Sequence, residues 1–213
     1  MVYNDGNNHH GKNGAKMANL SFFYGEMGCG KTAKLIEDVK KAKKNGKKTI
    51  VSKPKLDTKN GKNLLSRNGK TCEADYLIDR GDDLFTIFGD MMPADELFID
   101  EAQFLDSKQI DQLLLIATKY NIPVNTYGLR LNFYLGDENF AGATRLLQIA
   151  HQLVCLESMC DICHKEQAIF SCVFVNGKLQ TSGPSILISD GTKVVDAHAM
   201  CAKCYHKFLA DKD

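Results

Sequence analysis

The sequence has no long hydrophobic run and almost no net charge. Its longest apolar segments, such as residues 113–117, are far shorter than the roughly 18 residues that a membrane helix needs. With 27 basic and 26 acidic residues in a chain of 213, the formal charge is +1, which argues against a protein that coats nucleic acid. We therefore expect neither a membrane span nor a nucleic-acid partner.

The N-terminus also lacks the patterns of a signal peptide and of a transit peptide. Residues 1–16 consist mainly of Asn, Gly, Lys and His, and we expect them to be disordered, either as a tag or as an extension ahead of a start at Met17. Without an export signal the chain is expected in the cytoplasm. Its eight cysteines are then more typical of reduced thiols or metal ligands than of disulfides.

Strand-like and helical patterns alternate over residues 17–154. The strand-like segments are residues 19–24, 48–52, 97–100 and 122–127, and the helical segments are residues 31–45 and 107–120. Residues 54–70 are expected to form a mobile functional loop. The alternation predicts an α/β fold with right-handed crossovers and a mostly parallel sheet. Residues 155–213 carry cysteine pairs and β-branched runs and are predicted to form a second, smaller unit.

A glycine-rich segment, GEMGCGKT at residues 25–32, fits the phosphate-binding loop Gly-x-x-x-x-Gly-Lys-Ser/Thr between a strand and a helix. Its backbone N–H groups can form an anion nest at a helix N-terminus. Lys31 should reach the β and γ phosphates of a nucleotide, and the Thr32 hydroxyl should bind Mg²⁺. The other interpretation is a chance turn that caps a helix. The candidate ATP-binding residues of this loop are Gly25, Glu26, Met27, Gly28, Cys29, Gly30, Lys31 and Thr32.

Residues 97–101 read LFIDE, an apolar strand that ends in two adjacent carboxylates. Ligands bind at this end of the strands in a parallel sheet. Asp100 fits the acidic group that holds Mg²⁺, directly or through water. Glu101 could orient a hydrolytic water or act as a base toward a substrate hydroxyl. The alternative for both residues is a solvated acidic turn.

Two Cys-x2-Cys pairs lie on either side of residues 164–200, a loop of 37 residues. Four thiolates fit one tetrahedral Zn²⁺ and leave no open position for catalysis, so the zinc should be structural. The predicted ligands are Cys160, Cys163, Cys201 and Cys204. His164 and His206 flank the pairs as alternative ligands. The other cysteines stand singly and are expected to be incidental thiols: Cys29, Cys72, Cys155 and Cys172.

Five segments in this order resemble the cytosolic, zinc-containing (type II) thymidine kinase family over residues 18–208. They are GEMGCGKT at 25–32, FIDEAQFL at 98–105, YGLRLNF at 127–133, CDIC at 160–163 and CAKCY at 201–205. Many families share the phosphate loop, whereas the combination is specific. The resemblance implies transfer of the γ-phosphoryl of ATP to the 5′-hydroxyl of thymidine or deoxyuridine, with Mg²⁺ and structural zinc. It also implies a homotetramer and feedback inhibition by dTTP.

The resemblance assigns a role to individual residues. Glu101 would be the catalytic base and Asp100 would go with Mg²⁺. Asp57 and Lys59 would lie near the phosphates of ATP, with Lys59 standing where the family has an arginine, and Gln103 would also contact ATP. Each apolar residue of the implied nucleoside pocket has ordinary core packing as its alternative. These pocket residues are Met27, Phe104, Leu129, Phe133, Phe140 and Phe170.

The loop expected to cover the nucleoside departs from the family pattern. Ala197, followed by His198, stands where the family usually has a tyrosine, and residues 176–199 form a longer loop than usual. The implied domains are 1–16 (disordered), 17–154 (ATP-binding kinase core) and 155–213 (zinc-binding domain with the substrate-covering loop).

Two other interpretations stay open. One is a phosphate-loop ATPase or nucleic-acid motor with a zinc ribbon, although residues 155–213 lack a dense basic patch. The other is a family member that binds nucleotide without catalysis, or one with altered nucleoside specificity.

Overall fold

The computed structural model describes residues 17–57, 61–135, 137–183 and 195–210. The strands are β1 (Leu20–Tyr24), β2 (Thr49–Pro54), β3 (Asn63–Leu65), β4 (Thr71–Glu73), β5 (Tyr76–Ile78), β6 (Glu96–Ile99), β7 (Val124–Gly128), β8 (Gln152–Cys155), β9 (Phe170–Val175), β10 (Lys178–Leu179) and β11 (Val195–Met200). The helices are α1 (Lys31–Lys44), α2 (Leu84–Asp90), α3 (Ser107–Tyr120), α4 (Ala141–Ile149) and α5 (Ala202–Ala210), and Ala102–Phe104 form a 3₁₀ turn. Within these ranges, none of the helices has the length and apolar character needed to cross a membrane.

A parallel sheet of six strands forms the centre of the molecule, in the order β5-β2-β6-β7-β1-β8. The predicted α/β fold with a mostly parallel sheet is confirmed. Strand β7 lies between β1 and β6, so the carboxyl ends of β1 and β6 meet at the same edge, one strand apart. This arrangement brings the phosphate loop after β1 close to the acidic pair after β6.

Apolar side chains cover both faces of the sheet. Helices α2, α3 and α4 pack on one face, and α1 packs on the other with the β3–β4 hairpin. In α1 the buried residues recur at helical spacing, which presents one apolar stripe to the sheet. These residues are Leu35, Ile36, Val39 and Ala42. The sheet and its two helical layers therefore hold the strand ends in fixed positions.

The segment at residues 54–70 is not a simple loop. Strands β3 and β4 pair as an antiparallel hairpin whose tip lies at residues 66–70. Leu64 is only 2% exposed because it packs in the same cluster as the apolar stripe of α1. The expectation of a loop is wrong for this part, and burial of one leucine is the physical reason. Residues 58–60, which include Lys59, lie outside the described ranges.

The C-terminal part forms a small ribbon of three antiparallel strands, in the order β10-β9-β11, followed by α5. Its strand β9 has two different faces. Phe170, Cys172 and Phe174 pack in the ribbon, while Val173 lies in the main core cluster. The ribbon is thus attached to the main core through β9. The predicted domain boundary at residues 154/155 stays a prediction.

Strand β11 contains Ala197 and His198, which were expected in the covering loop. His198 pairs with Cys172 across the ribbon and its ring meets Phe174 edge-on at 5.4 Å, so it is half-buried rather than an exposed loop residue. The central part of the covering loop, residues 184–194, lies outside the described ranges, as do residues 1–16.

Candidate active site

The phosphate loop joins β1 to α1 through two left-handed glycines. Gly28 has φ +82° and Gly30 has φ +91°, a region that glycine enters without a steric penalty. Gly30 precedes α1 without giving it a side-chain cap. The first N–H groups of α1 therefore face the loop without a capping side chain, which is the usual arrangement of an anion site at a helix N-terminus.

Lys31 lies inside this loop. Its side chain is buried, and Nζ donates hydrogen bonds to the carbonyl oxygens of Gly25 at 3.1 Å and Glu26 at 2.8 Å. The thiol of Cys29 lies 3.6 Å from the same Nζ. The positive charge is consequently held at the centre of the loop, where a phosphate would be bound.

Asp100 follows β6 and faces α1. The Thr32 hydroxyl donates a hydrogen bond to its carboxylate. Burial and the charge of Glu101 raise the pKa of Asp100 to about 7, although the bond from Thr32, the Glu101 backbone N–H and the charge of Lys31 oppose the shift. Two neighbouring carboxylates, one buried and bonded to a hydroxyl, form a donor set that suits Mg²⁺.

Glu101 has an unusual backbone and a fixed side chain. Its φ of 48° and ψ of 37° are left-handed, which is uncommon for a residue other than glycine. Gln103 donates from Nε2 to Glu101 Oε2 at 2.6 Å and accepts at Oε1 from the backbone N–H of Leu129 at 3.1 Å. Gln103, predicted to contact ATP, is thus a buried bridge that orients the Glu101 carboxylate.

The bridge explains the glycine that ends β7. A Cβ atom on Gly128 would lie 2.6 Å from Oε1 and 3.1 Å from the backbone nitrogen of Gln103. Only a residue without a side chain lets the Gln103 amide approach the β7 strand so closely. The Gly-Leu-Arg sequence, which begins at the last residue of β7, therefore helps to position the acidic turn after β6.

An aromatic group lies next to the acidic turn. Phe140 meets Phe104 at 5.4 Å and Phe133 at 5.7 Å, both edge-to-face. Leu129 and Met27 pack in the same apolar cluster. Five of the six predicted pocket residues therefore lie in or against the main core cluster, and three of them form the aromatic group.

Phe170, the sixth, has a different environment. Its ring packs on Tyr205 at 5.0 Å in the ribbon. The β9 residue that faces the phosphate loop is its neighbour, Ser171. The chain after β10 also reaches the core site, because a Cβ on Gly183 would lie 2.8 Å from the Tyr134 ring. The described N-terminal part of the covering loop thus reaches Tyr134, whose ring lies 6.3 Å from that of Phe133.

Ser171 joins the ribbon to the phosphate loop. Its hydroxyl donates to Glu26 Oε2 at 2.9 Å and accepts from the backbone N–H of Met27, also at 2.9 Å. Arg130 donates from Nη2 to the Ile169 carbonyl at 3.0 Å, and the same nitrogen lies 3.8 Å from Glu26 Oε1. Neither Ser171 nor Arg130 is among the site residues predicted from the sequence. The acidic residue inside a phosphate loop was the signal that could have pointed to these partners.

Asp57 lies three residues after β2 and is paired with a buried lysine. Lys53 is 1% exposed and its Nζ donates to Asp57 Oδ2 at 2.9 Å and to the Asn63 carbonyl at 3.2 Å. The pair ties the start of the residue 57–62 segment to the β3–β4 hairpin. Lys59, its predicted companion, is not among the described residues.

The four cysteines of the two pairs converge in the ribbon. Their sulfur atoms all lie within 4.8 Å of one another, and Cys163 Sγ lies 3.9 Å from Cys201 Sγ. Zn–S bonds of about 2.3 Å in a tetrahedron give sulfur–sulfur distances of about 3.8 Å. Within the described residues, neither His164 nor His206 belongs to this group. The group is consistent with a structural zinc site.

The thiols cannot all ionise without a cation. Burial opposes ionisation of Cys160, but backbone N–H groups of Cys201, Cys163 and Ile162 outweigh it and lower its pKa to about 6. Burial and the neighbouring cysteines raise the pKa of Cys204 to about 12. A divalent ion would remove this conflict.

Comparison with known proteins gives a consistent result. The family model described as thymidine kinase matches residues 18–205. The thymidine kinase of Enterobacteria phage T4 is 33% identical over 195 residues, which cover 90% of this chain and 97% of that protein. The thymidine kinase of Encephalitozoon cuniculi is 35% identical over 189 residues, or 85% of each chain.

Among solved structures, the Pif1 helicase from Candida albicans matches at 16% identity with a TM-score of 0.39, covering 66% of this chain and 36% of that one. A likeness at that TM-score supports no argument about function. The sequence matches are different in kind, since they extend from the phosphate loop to the last cysteine pair. This chain therefore belongs to the thymidine kinase family, and its four-cysteine group supports the zinc-containing type.

Proposed function

We propose that this chain is a thymidine kinase that transfers the γ-phosphoryl group of ATP to the 5′-hydroxyl of thymidine or deoxyuridine. One observation carries the proposal. Within residues 100–104, Asp100 is bonded to Thr32 of the phosphate loop, Glu101 is oriented by Gln103, and Phe104 belongs to the aromatic group. A candidate base thus lies between phosphate-binding and base-stacking features, which supports transfer between a nucleotide and a nucleoside.

The phosphate loop would bind the triphosphate. Its backbone N–H groups and the N-terminus of α1 attract anions, and Lys31 would exchange the loop carbonyls for phosphate oxygens. Thr32 and Asp100 would hold Mg²⁺, which neutralises phosphate charge when it is bound. By the resemblance of the sequence to the family, Asp57 and Lys59 would also lie near the phosphates of ATP.

Glu101 would act as the base. The 5′-oxygen attacks the γ-phosphorus, the bond from that phosphorus to the β–γ bridging oxygen breaks, and ADP leaves. The hydroxyl proton goes to the Glu101 carboxylate, which the hydrogen bond from Gln103 keeps in one orientation. Phosphoryl transfer needs mainly positioning and charge stabilisation, so a fixed base fits this chemistry.

The aromatic group, together with Met27 and Leu129, would bind the pyrimidine ring. Phe104, Phe133 and Phe140 offer edge-to-face surfaces of the right kind for a flat ring, and Met27 and Leu129 complete an apolar lining. Backbone groups of the covering loop would read the edge of the base. We leave Phe170 out of this pocket because it packs on Tyr205. Ala197 in place of a tyrosine motivates a test of nucleoside preference.

Membership of the family also leads us to propose four further properties of this chain. They are structural zinc at the four cysteines, a homotetramer, feedback inhibition by dTTP and a cytoplasmic location. Metal analysis, sedimentation and inhibition by dTTP test the first three directly.

The decisive experiment is a nucleoside panel with purified protein, labelled ATP and Mg²⁺. We expect phosphorylation of thymidine and deoxyuridine and formation of the 5′-monophosphates. If ATP hydrolysis instead depended on DNA and no nucleoside were phosphorylated, the chain would be a nucleic-acid motor. ATP binding without any transfer would identify a non-catalytic member.

Glu101→Gln tests the base. The amide keeps the shape but cannot accept the proton, so kcat should fall about 10²- to 10⁴-fold. The dissociation constant for a non-hydrolysable ATP analogue, measured by calorimetry, should be nearly unchanged. Glu166→Gln is the matched control, because Glu166 is an exposed acid in the ribbon. Full activity of Glu101→Gln would show that the base assignment is wrong.

A further inference from the structure

We propose that Arg67, at the tip of the β3–β4 hairpin, binds the triphosphate of ATP as a second cationic side chain beside Lys31. The inference rests on the proposed function and adds a residue to it. Arg67 is 36 positions from Lys31 in the sequence and belongs neither to the phosphate loop nor to the acidic, Gly-Leu-Arg or cysteine motifs.

Arg67 lies directly against the phosphate loop. A Cβ atom on Gly28 would be 2.9 Å from Nη1 and 3.6 Å from Cζ of Arg67. The guanidinium group therefore covers the middle of the loop whose N–H groups form the anion nest. A phosphate bound in that nest would come within hydrogen-bonding reach of the guanidinium.

The hairpin tip holds the Arg67 backbone in place. The Ser66 hydroxyl accepts a hydrogen bond from the Lys70 N–H at 2.9 Å, and the Gly69 N–H donates to the Ser66 carbonyl at 2.9 Å. Leu64 anchors the hairpin under α1, and Lys70 forms an ion pair with Glu37 of α1. Since α1 also carries the phosphate loop at its N-terminus, the hairpin and the loop keep a fixed relation.

The guanidinium group of Arg67 is available to bind an anion. Other cations of this region are already paired, Lys53 with Asp57 at 2.9 Å and Lys55 with Asp79 at 2.7 Å. In the ranges that the structure describes, no carboxylate forms an ion pair with Arg67, and its side chain is exposed. A guanidinium without a carboxylate partner, beside an anion nest, fits a bidentate contact to phosphate oxygens.

The test uses Arg67→Ala and Arg67→Lys in the full chain. We expect Arg67→Ala to lower kcat/KM for ATP and to weaken binding of a non-hydrolysable ATP analogue by about 10- to 100-fold, the range for lost charge-assisted hydrogen bonds. The KM for thymidine should stay within about twofold, because Arg67 faces the phosphate side. The ATP-analogue affinity of Arg67→Lys should lie between those of the wild type and Arg67→Ala, since lysine keeps the charge but loses the planar fork.

Arg80→Ala is the matched control. Arg80 is an exposed arginine after β5, four strands away from β1, so its removal changes the net charge equally without touching the loop. Circular dichroism and melting temperature check the fold of each variant, and Arg67→Lys serves if the alanine variant is unstable. Wild-type ATP affinity in both Arg67 variants would overturn the proposal, as would an effect on thymidine alone.

The failure of this inference differs from failure of the proposed function. If the wild-type protein phosphorylates thymidine and the Arg67 variants do the same with unchanged ATP constants, only the role of Arg67 is lost. If the wild type phosphorylates no nucleoside but Arg67→Ala still weakens binding of the ATP analogue, the role of Arg67 stands without the kinase.

Discussion

The core and the ribbon hold their functional groups by opposite means. In the core, the acidic pair and the phosphate loop lie at the ends of strands that are buried by two large apolar clusters. In the ribbon, the corresponding cluster contains seven buried residues, and three of them are cysteines. We therefore expect the core to be stable through ordinary apolar burial and the ribbon to depend on its four-cysteine group.

The consequence for stability is also opposite. The buried carboxylate of Asp100 weakens the fold of the core, because its ionised form loses hydration and faces Glu101. The four thiolates, when they bind a metal ion, would stabilise the fold of the ribbon. Function and stability thus conflict in the core and coincide in the ribbon.

Cys201→Ser should break this comparison most strongly. The change removes one of four ligands, so the zinc should be lost and the ribbon should unfold while the sheet stays folded. We expect kcat/KM for thymidine to fall at least about 100-fold, because β9 no longer supports Met27 through Ser171. Hydrogen exchange, read separately for β9–β11 and for β1, β6 and β7, measures the difference.

Cys155→Ser controls for the loss of a thiol, since Cys155 is exposed and lies outside the four-cysteine group. It should keep one zinc per chain by elemental analysis and full activity. If Cys201→Ser kept its zinc and the protection of β9–β11, the ribbon would have to be stable by apolar packing, and the contrast with the core would disappear.

Asp100→Asn should sharpen the comparison from the core side by stabilising the protein while abolishing its activity. The pKa of Asp100 is raised from 3.8 to about 7, which corresponds to at most about 4 kcal/mol. Between these pH values the unfolded chain has lost the proton and the folded chain retains it, so stability falls as the pH rises. Asparagine removes this loss and can still accept the bond from Thr32.

The gain should therefore be largest at pH 8 and should shrink as the pH falls toward 4. Urea unfolding in buffer without Mg²⁺ at several pH values measures it. Asp90→Asn is the control, because Asp90 is an exposed carboxylate at the end of α2. Equal free energies of unfolding for Asp100→Asn and the wild type at pH 8 would mean that the buried carboxylate does not destabilise the core.

The sequence predicted those features whose signals are local along the chain. Helix α3 was predicted at residues 107–120 and observed at Ser107–Tyr120, because its apolar periodicity follows a capping Asp106 that bonds Gln109. The phosphate loop, the acidic pair and the cysteine pairs are equally local, since each is a short motif with fixed spacing. Fold class could be read from the order of these elements.

The features that the sequence did not reveal are long-range. Strands β3 and β4 have three residues each, too few for a visible pattern, and only Leu64 among them is buried. The contact of Ser171 with Glu26 joins residues 145 positions apart, and the place of Gln103 depends on the meeting of β6 with β7. Such contacts follow from the strand order, which the motifs do not specify.

Ser171→Ala gives the smallest expected effect and tests the connection between the two regions. The change leaves the Met27 N–H without its partner and removes one hydrogen bond from the buried Glu26 carboxylate, at a cost of about 1–3 kcal/mol in the free energy of unfolding. Because Met27 belongs to the proposed nucleoside pocket, the KM for thymidine should rise a few-fold.

The coupling energy between Ser171 and Glu26 shows whether their hydrogen bond stabilises the contact between the ribbon and the phosphate loop. In a double-mutant cycle with Glu26→Gln, we expect a coupling energy above about 0.5 kcal/mol, since the two side chains share one hydrogen bond. Ser158→Ala is the matched control, because the Ser158 hydroxyl has no hydrogen-bond partner among the described residues. Additive effects of Ser171→Ala and Glu26→Gln would mean that the ribbon touches the phosphate loop without stabilising it. The metal site would then influence the nucleoside pocket only through the covering loop.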